Sequence, residues 1–227
     1  MGAPTPKAFL PIAGHPLFSY SLQTLGAIPE VATVVLVVAA DYLAAAATAL
    51  KPYRTGRGSI RLTAGGAERQ DSVAAGLAAV AGEVEVVLIH DAARPFVRAE
   101  AARRCLNLAQ AHGAALVAVP ARDTVKAVDD KGRVTHTLDR STIWLAQTPQ
   151  GFRVEILRDA LDRARAAGVQ ATDDAALVER LGLPVHVVPG ELANLKVTTP
   201  EDLRWAEWYA RSEWCAPAAW DPVEMAD

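Results

Sequence analysis

The chain has 227 residues, 51% hydrophobic and 22% charged, with a formal net charge of -3, enough chain to bury one substantial core in one large domain. A pI near 6.0 and arginines scattered along the chain exclude a field that would hold a polyanion, so nucleic acid is not an expected partner. The two cysteines, Cys105 and Cys215, show neither metal spacing nor a disulfide framework and fit a reducing cytoplasm.

The opening "MGAPTPKAF" is a rigid Gly-Pro-Pro loop that presents the ammonium group of Lys7. The apolar stretch behind it is broken by Pro11, Gly14 and Pro16, which is not the uninterrupted segment of a signal peptide. Pro6 stands where a myristoylation motif needs Ser or Thr. "VATVVLVVAA" is too short to cross a bilayer and ends at Asp41, so it reads as a buried strand and no membrane is expected.

From there valine-rich runs alternate with alanine-rich helical patterns. "TVVLVVAA" precedes "DYLAAAATALKPY", "IRLTAG" precedes "ERQDSVAAGLAAVAG", and "VEVVLIHD" precedes "AEAARRCLNLAQAHG" and "AALVAVPA". Near-continuous apolar strands separated by helices predict a mostly parallel sheet buried on both faces, an α/β fold. The rhythm breaks over 121–147, where "TVKAVDDKGRVTHTLDR" predicts a hairpin turning at Gly132 with positive φ. A lone hairpin is marginal in water, and a second subunit is the economical support. Next come a helix ending at Gly168, a short one capped by Thr172 and Asp173, the strand "LPVHVVPG", and a last helix with Thr199 as N-cap and Pro200 at its first position. Residues 214–227 read as a tail.

Five segments carry polar residues that folding alone does not require. In "GGAERQDSV", Gly65 and Gly66 join a strand to a helix whose start could meet an anion, although an ordinary turn accounts for them as well. In "HDAARPF" a strand ends on His90 and Asp91, followed by Arg94. Parallel sheets bind ligands at such strand ends, so Asp91 is a natural Mg²⁺ anchor, whereas His90 reads as a packed residue. "QTPQGF" and "ATDDAAL" supply Thr148, Thr172, Asp173 and Asp174, which either bind phosphate or cap a helix. Lys196 precedes the last helix, where a cation adds to the positive end of the dipole; with Lys7 and Arg94 it suggests a polyphosphate pocket.

Read in order, "PKAF", "GGAERQDSV", "HDAARPF", "DTVK", "QTPQGF", "TDDAALVE" and "NLKVTTPEDL" resemble the 2-C-methyl-D-erythritol 4-phosphate cytidylyltransferase family from Pro6 to about Glu207. The resemblance implies a Rossmann-like nucleotidyltransferase domain over 1–213 with a projecting β-arm that hooks two subunits into a homodimer. It implies a reaction of CTP with methylerythritol 4-phosphate that releases pyrophosphate and uses Mg²⁺. By the same resemblance Lys7 and Lys196 meet the transition state, Gly65, Gly66, Ser72 and Ala92 lie against the nucleotide, and Asp91 holds the metal. Arg94, Thr148, Thr172 and Arg140 hold methylerythritol phosphate, with Arg140 on the arm reaching the partner's site.

In the family a strand and a loop of the type Ala-Ala-Gly-x-Gly-x-Arg-Met-Gly stand ahead of the Pro-Lys motif, and only Met1 and Gly2 correspond here. The expectation from this difference is a natural start upstream, with Met1 as the internal methionine of the loop. Two other readings stay open at this point: a cytidylyltransferase for another polyol phosphate such as ribitol 5-phosphate, and a non-catalytic dimeric nucleotide-binding relative.

Overall fold

The computed structural model describes residues 6–53, 58–80 and 82–214. The opening loop as far as Thr5, with Met1 and Gly2, and the tail from Cys215 lie outside the described residues.

Lys7–Phe9 form a single 3-10 turn, followed by a tight hairpin of β1 (Pro11–Ile12) and β2 (His15–Pro16). Its turn uses two positive φ values, 47° at Ala13 and 85° at Gly14. Helix α1 (Leu17–Gly26) is buried on nearly every side, polar residues included. Its Ser19, Ser21 and Thr24 hydroxyls donate back to backbone carbonyls of Pro16, Phe18 and Tyr20, so they are buried without being orphaned. No periodic apolar stripe announces such a helix, and the sequence reading passes over it.

The alternating units follow as β3 (Thr33–Val38), α2 (Leu43–Leu50), β4 (Ser59–Ala64), α3 (Arg69–Ala78), β5 (Val86–Ile89), α4 (Ala99–His112) and β6 (Ala114–Pro120). The arm strands β7 (Lys126–Val128) and β8 (Val134–Thr137) precede β9 (Trp144–Arg153). After these come α5 (Val154–Ala166), α6 (Asp174–Glu179), β10 (His186–Pro189) and α7 (Pro200–Ser212).

β6 shows why the middle of the chain folds as it does. Ala114, Leu116 and Ala118 enter one apolar cluster with Phe152, Leu157 of α5 and Val178 of α6. Ala115 and Val117, pointing to the other face, pack with Cys105 and Ala109 of α4 and Val188 of β10. The strand alternates between two buried faces, as a near-continuous apolar run requires.

The expectation of a mostly parallel sheet is corrected. The larger sheet has the order β10-β6-β9-β5, in which β10 runs parallel to β6 while β9 is antiparallel to both β6 and β5. β9 escapes the sequence reading because Gln147, Thr148, Pro149, Gln150 and Gly151 form poor strand sequence. Those residues are buried all the same, and they carry the site described below. The second departure is a split: among the described residues β3 pairs with β4 alone, in parallel, and is not hydrogen-bonded to β5. Between the two strands lies an apolar cavity of about 260 Å³ lined by Phe18, Leu22, Val34, Leu36, Val87 and Ile89, among others.

The arm is as the sequence pattern has it, an antiparallel hairpin with Gly132 at φ 75°. Lys126 to Val128 faces Val134 to Thr137, with a register shift after Ala127.

Candidate active site

The site is assembled where β5, β9, the start of α3 and the segment before α7 meet. A turn closed by Arg94 N donating to Asp91 O (2.9 Å) sets Asp91 and Arg94 at the end of β5. The segment that carries Lys196 is fastened to this turn on both sides. Arg94 Nη1 donates to Asn194 O (2.8 Å), and Val197 N donates to Ala93 O (2.8 Å). Between those two fixings the Lys196 ammonium reaches Asp91 Oδ2 at 2.9 Å. Lys7 joins from the N-terminal side, its ammonium donating to Thr198 O (3.1 Å).

Asp91 is thus surrounded by cations. Lys196 and Arg94 Nε (3.8 Å) face Oδ2, and Arg69 Nε lies 3.7 Å from Oδ1. Burial opposes ionisation of this carboxyl, yet the Lys196 bond and the two guanidinium charges hold it below the usual carboxylate range. Burial also lowers Arg94 from its ordinary value against the attraction of Asp91.

Beneath the turn, His90 and Thr148 fix Asp91 from behind. His90 Nε2 lies 2.9 Å from the Arg94 carbonyl, which can only accept, so Nε2 carries the proton and Nδ1 accepts from the Thr148 hydroxyl (3.0 Å). The Thr148 oxygen in turn accepts from Asp91 N (3.0 Å). Burial lowers the His90 pKa to about 4, so the ring is neutral at neutral pH and serves as packing and hydrogen-bonding material, as the sequence reading has it. Thr148, expected against the polyol phosphate, has its hydroxyl proton and one lone pair committed inside the protein.

In the turn from β4 to α3, Gly65, Gly66 and Ser72 come together. Gly66 N donates to Ser72 Oγ (3.2 Å), and a Cβ added at Gly65 would stand 2.5 Å from that oxygen, so a larger residue there would push the hydroxyl out of this bond. Glu68 caps α3 in a reciprocal box with Asp71, whose carboxylate accepts from Glu68 N (3.2 Å). Ala92 packs against the Phe18 and Leu36 cluster.

Two expected residues stand apart from the Asp91 cluster. Arg140 lies beside the arm, its guanidinium donating to Arg122 O (2.6 Å). Thr172 is exposed just ahead of α6, whose cap is Asp173 accepting from Ala176 N (3.0 Å). No cluster of three His, Cys, Asp or Glu suited to a metal exists among the described residues.

The sequence reading misses Arg69, Asn194 and Gln150. Asn194, 3% exposed, donates through Nδ2 to Gln147 Oε1 (3.1 Å) and Thr148 O (2.8 Å), clasping β9 to the Lys196 segment. Arg69 carries the signal that marks Lys196, a cation at the positive end of a helix.

The family model described as IspD, 2-C-methyl-D-erythritol 4-phosphate cytidylyltransferase, matches residues 1–212. The chain belongs to this family. A 2-C-methyl-D-erythritol 4-phosphate cytidylyltransferase of Syntrophus aciditrophicus is 45% identical over 215 residues, which cover 94% of this chain and 91% of the relative. The chloroplastic protein of that name from Oryza sativa is 41% identical over 207 residues, covering 91% and 69%. Among solved structures, the cytidylyltransferase of Thermus thermophilus superposes with a TM-score of 0.74 at 38% identity, covering 91% of this chain and 94% of that one. The 4-diphosphocytidyl-2C-methyl-D-erythritol synthase of Anaerococcus prevotii gives 0.82 at 31%, covering 88% of each. Family membership makes the chain a nucleotidyltransferase of non-mevalonate isoprenoid biosynthesis and sets aside the non-catalytic reading. The IspD structures share its α/β fold, and no helix among the described residues is long and apolar enough to cross a membrane.

Proposed function

We propose that the Asp91 cluster is where this chain joins CTP to 2-C-methyl-D-erythritol 4-phosphate. The observation that carries the reading is the convergence of Arg69, Arg94 and Lys196, from three separate segments, around one ionised carboxylate, with Lys7 fastened close by at the carbonyl of Thr198, two residues past Lys196. So much positive charge in one crevice repels itself unless an anion visits, and the two substrates bring a triphosphate and a monophosphate.

An oxygen of the methylerythritol phosphate attacks the α-phosphorus of CTP; the new P–O bond forms as the bond to the leaving pyrophosphate breaks. Two anions must be brought into line, so the protein's task is positioning and neutralisation. Lys7 and Lys196 neutralise the charge that builds on the reacting phosphates. Gly65, Gly66, Ser72 and Ala92 line the cytosine and ribose. Arg94 and Thr172 hold the methylerythritol phosphate, and Thr148 supports them by fixing the Asp91 turn. Arg140 reaches the same substrate in the partner's site across a dimer formed by the arms, a role that suits the exposed Val128 and Val134 of β7 and β8 and Leu145 of β9.

The donor set fits Mg²⁺. This hard ion takes one or two protein carboxylates and completes its shell with phosphate oxygens and water, and Asp91 offers one carboxylate held in its charged form. Bound there, Mg²⁺ would withdraw charge from the triphosphate.

Pyrophosphate release by this chain with CTP, Mg²⁺ and methylerythritol 4-phosphate tests the reading, with ribitol 5-phosphate as control. Release with the first polyol alone is expected. Release with ribitol 5-phosphate alone would overturn the substrate assignment.

A further inference from the structure

Resting on that assignment of Asp91 and Lys196, we infer that Arg69 and Asp174 form a positioning clamp that keeps the Asp91 carboxylate in place while Lys196 leaves it for the substrate.

Each half of the clamp is unfavourable alone. Arg69 is the first residue of α3, where its charge opposes the helix dipole. Asp174 is 1% exposed, and an unpaired carboxylate cannot be held there in its charged form without large cost. They meet at 2.6 Å, Arg69 Nη2 to Asp174 Oδ2, while Asp174 Oδ1 is buried without a hydrogen-bond partner. Burial raises the Asp174 carboxyl from its ordinary value, and the Arg69 bond opposes that shift.

The same guanidinium faces Asp91. Lys196 and Arg94 take Oδ2, whereas Arg69 is the cation on Oδ1. Lys196 is 44% exposed and free to move toward a phosphate; Arg69 is tied to a residue that cannot follow it out. Asp174 stands on a fixed base, because Gln150 donates to Asp173 Oδ2 (2.8 Å) and accepts from Ala175 N (3.0 Å). Gln150 lies opposite Ile89 in the β9–β5 ladder, two residues before Asp91. The path from Asp91 through β5, β9, the start of α6 and Arg69 therefore closes on Asp91 itself. It also couples the turn expected at the nucleotide to the one expected at the polyol phosphate. When Lys196 transfers to the reacting phosphates, Arg94 still faces Oδ2, and the tethered Arg69 on Oδ1 keeps the carboxylate from turning after the departing ammonium.

Steady-state kinetics of Asp174→Asn, Arg69→Met and the double variant R69M/D174N test the clamp, with melting temperature and calorimetric binding of CTP in Mg²⁺ as companions. Arg69→Met leaves the buried Asp174 carboxylate unpaired and is expected to melt early, whereas Asp174→Asn leaves a partly exposed Arg69 still facing Asp91 and should melt nearer the parent; the double variant removes both charges and regains the stability that Arg69→Met loses. The decisive expectation is that the double variant nevertheless has kcat lowered about 10- to 100-fold, the usual loss when a group orienting a ligand is removed. CTP affinity and the KM of both substrates should move less than about threefold, since no interaction shared by ground and transition states is lost. A double variant with normal kcat makes the pair structural and overturns the clamp. One whose loss falls on the KM for CTP alone makes Arg69 a nucleotide ligand and overturns it as well. Asp91→Asn, run alongside, addresses the underlying reading. Full activity of that variant removes Asp91 from the site, whereas an inactive Asp91→Asn beside a fully active double variant defeats the clamp only.

Discussion

The Asp91 cluster and the arm are opposite kinds of structure. Around Asp91 the chain is cross-linked over long sequence distances, Arg94 to Asn194, Lys7 to Thr198 and Arg69 to Asp174, and one carboxylate is held from several sides. The arm is held by its own hydrogen bonds, such as Lys126 to Thr137 and Arg133 to Asp129, and leaves Val128 59% and Val134 60% exposed. A region that finishes its interactions within one chain is built to hold charge in place. A region that leaves apolar side chains in water is built to meet another surface.

The largest test of that contrast removes a cation from the cluster. Lys196→Ala should lower kcat about 100- to 1,000-fold in the pyrophosphate assay, the scale for losing one group that stabilises transition-state charge. Its melting temperature should change little, because the side chain is 44% exposed. If kcat holds, the cluster is structural and the contrast fails.

Breaking the arm should act differently. Val128→Asp with Val134→Asp places charge on the exposed face, and sedimentation should then show a monomer whose melting temperature is nearly unchanged. In the proposed dimer Arg140 would then no longer reach a partner, and the KM for methylerythritol phosphate should rise about 10- to 100-fold, equivalent to a charge-assisted hydrogen bond of ~1.5–3 kcal/mol. A monomer with normal KM would detach Arg140 from the substrate.

Acid sharpens the picture of what lies under the cluster. His90 has a folded pKa of about 4 against an ordinary 6.5, so the unfolded chain binds the extra proton first. Its contribution to stability is complete above pH 6.5 and drains away as pH falls toward 4, the sign for a base kept neutral by folding. Thermal melts across that window should show the slope, and His90→Gln should flatten it.

The smallest effect is expected at the start of α7. Thr199→Ala removes a cap whose hydroxyl accepts from Asp202 N (3.2 Å), and should cost about 1 kcal/mol, or ~2–4 °C in melting temperature for a chain of this size.

How much of this is written plainly in the sequence depends on whether burial and chemistry ask for the same residues. β3, β6 and α5 are legible because their apolar period is the period of the buried face, and Gly132, Gly168 and Thr199 because a turn or cap needs those residue types. β9 is hidden for the opposite reason. Its Gln147, Thr148 and Gln150 are buried to support the site, which makes the strand look like a loop. The split between β3 and β5 is likewise invisible to local patterns, since each run is a good strand on its own and pairing is decided far along the chain. Of the candidate site, Lys7, Asp91, Arg94 and Lys196 stand out in the sequence as charges that no local cap, turn or helix pair calls for. Arg69 and Asp174 escape because each is tolerated only through the other, across a separation that no local motif records.

The aromatic stack on α7 gives the molecule an optical voice. Phe96, two residues past Arg94, lies 5.2 Å from Trp214 and 6.0 Å from Trp205, while Trp205 stacks on Tyr209 at 4.8 Å. Arg98 sits 5.3 Å over the Trp214 ring. The Asp91–Arg94 turn is thus two residues from a ring that packs on two indoles, while Trp208 of α7 and Trp144 beside the arm stand in more exposed settings. Intrinsic fluorescence and near-ultraviolet dichroism can therefore follow events in the crevice and at the arm without any label. Replacing Trp144 or Trp214 one at a time tells the two signals apart.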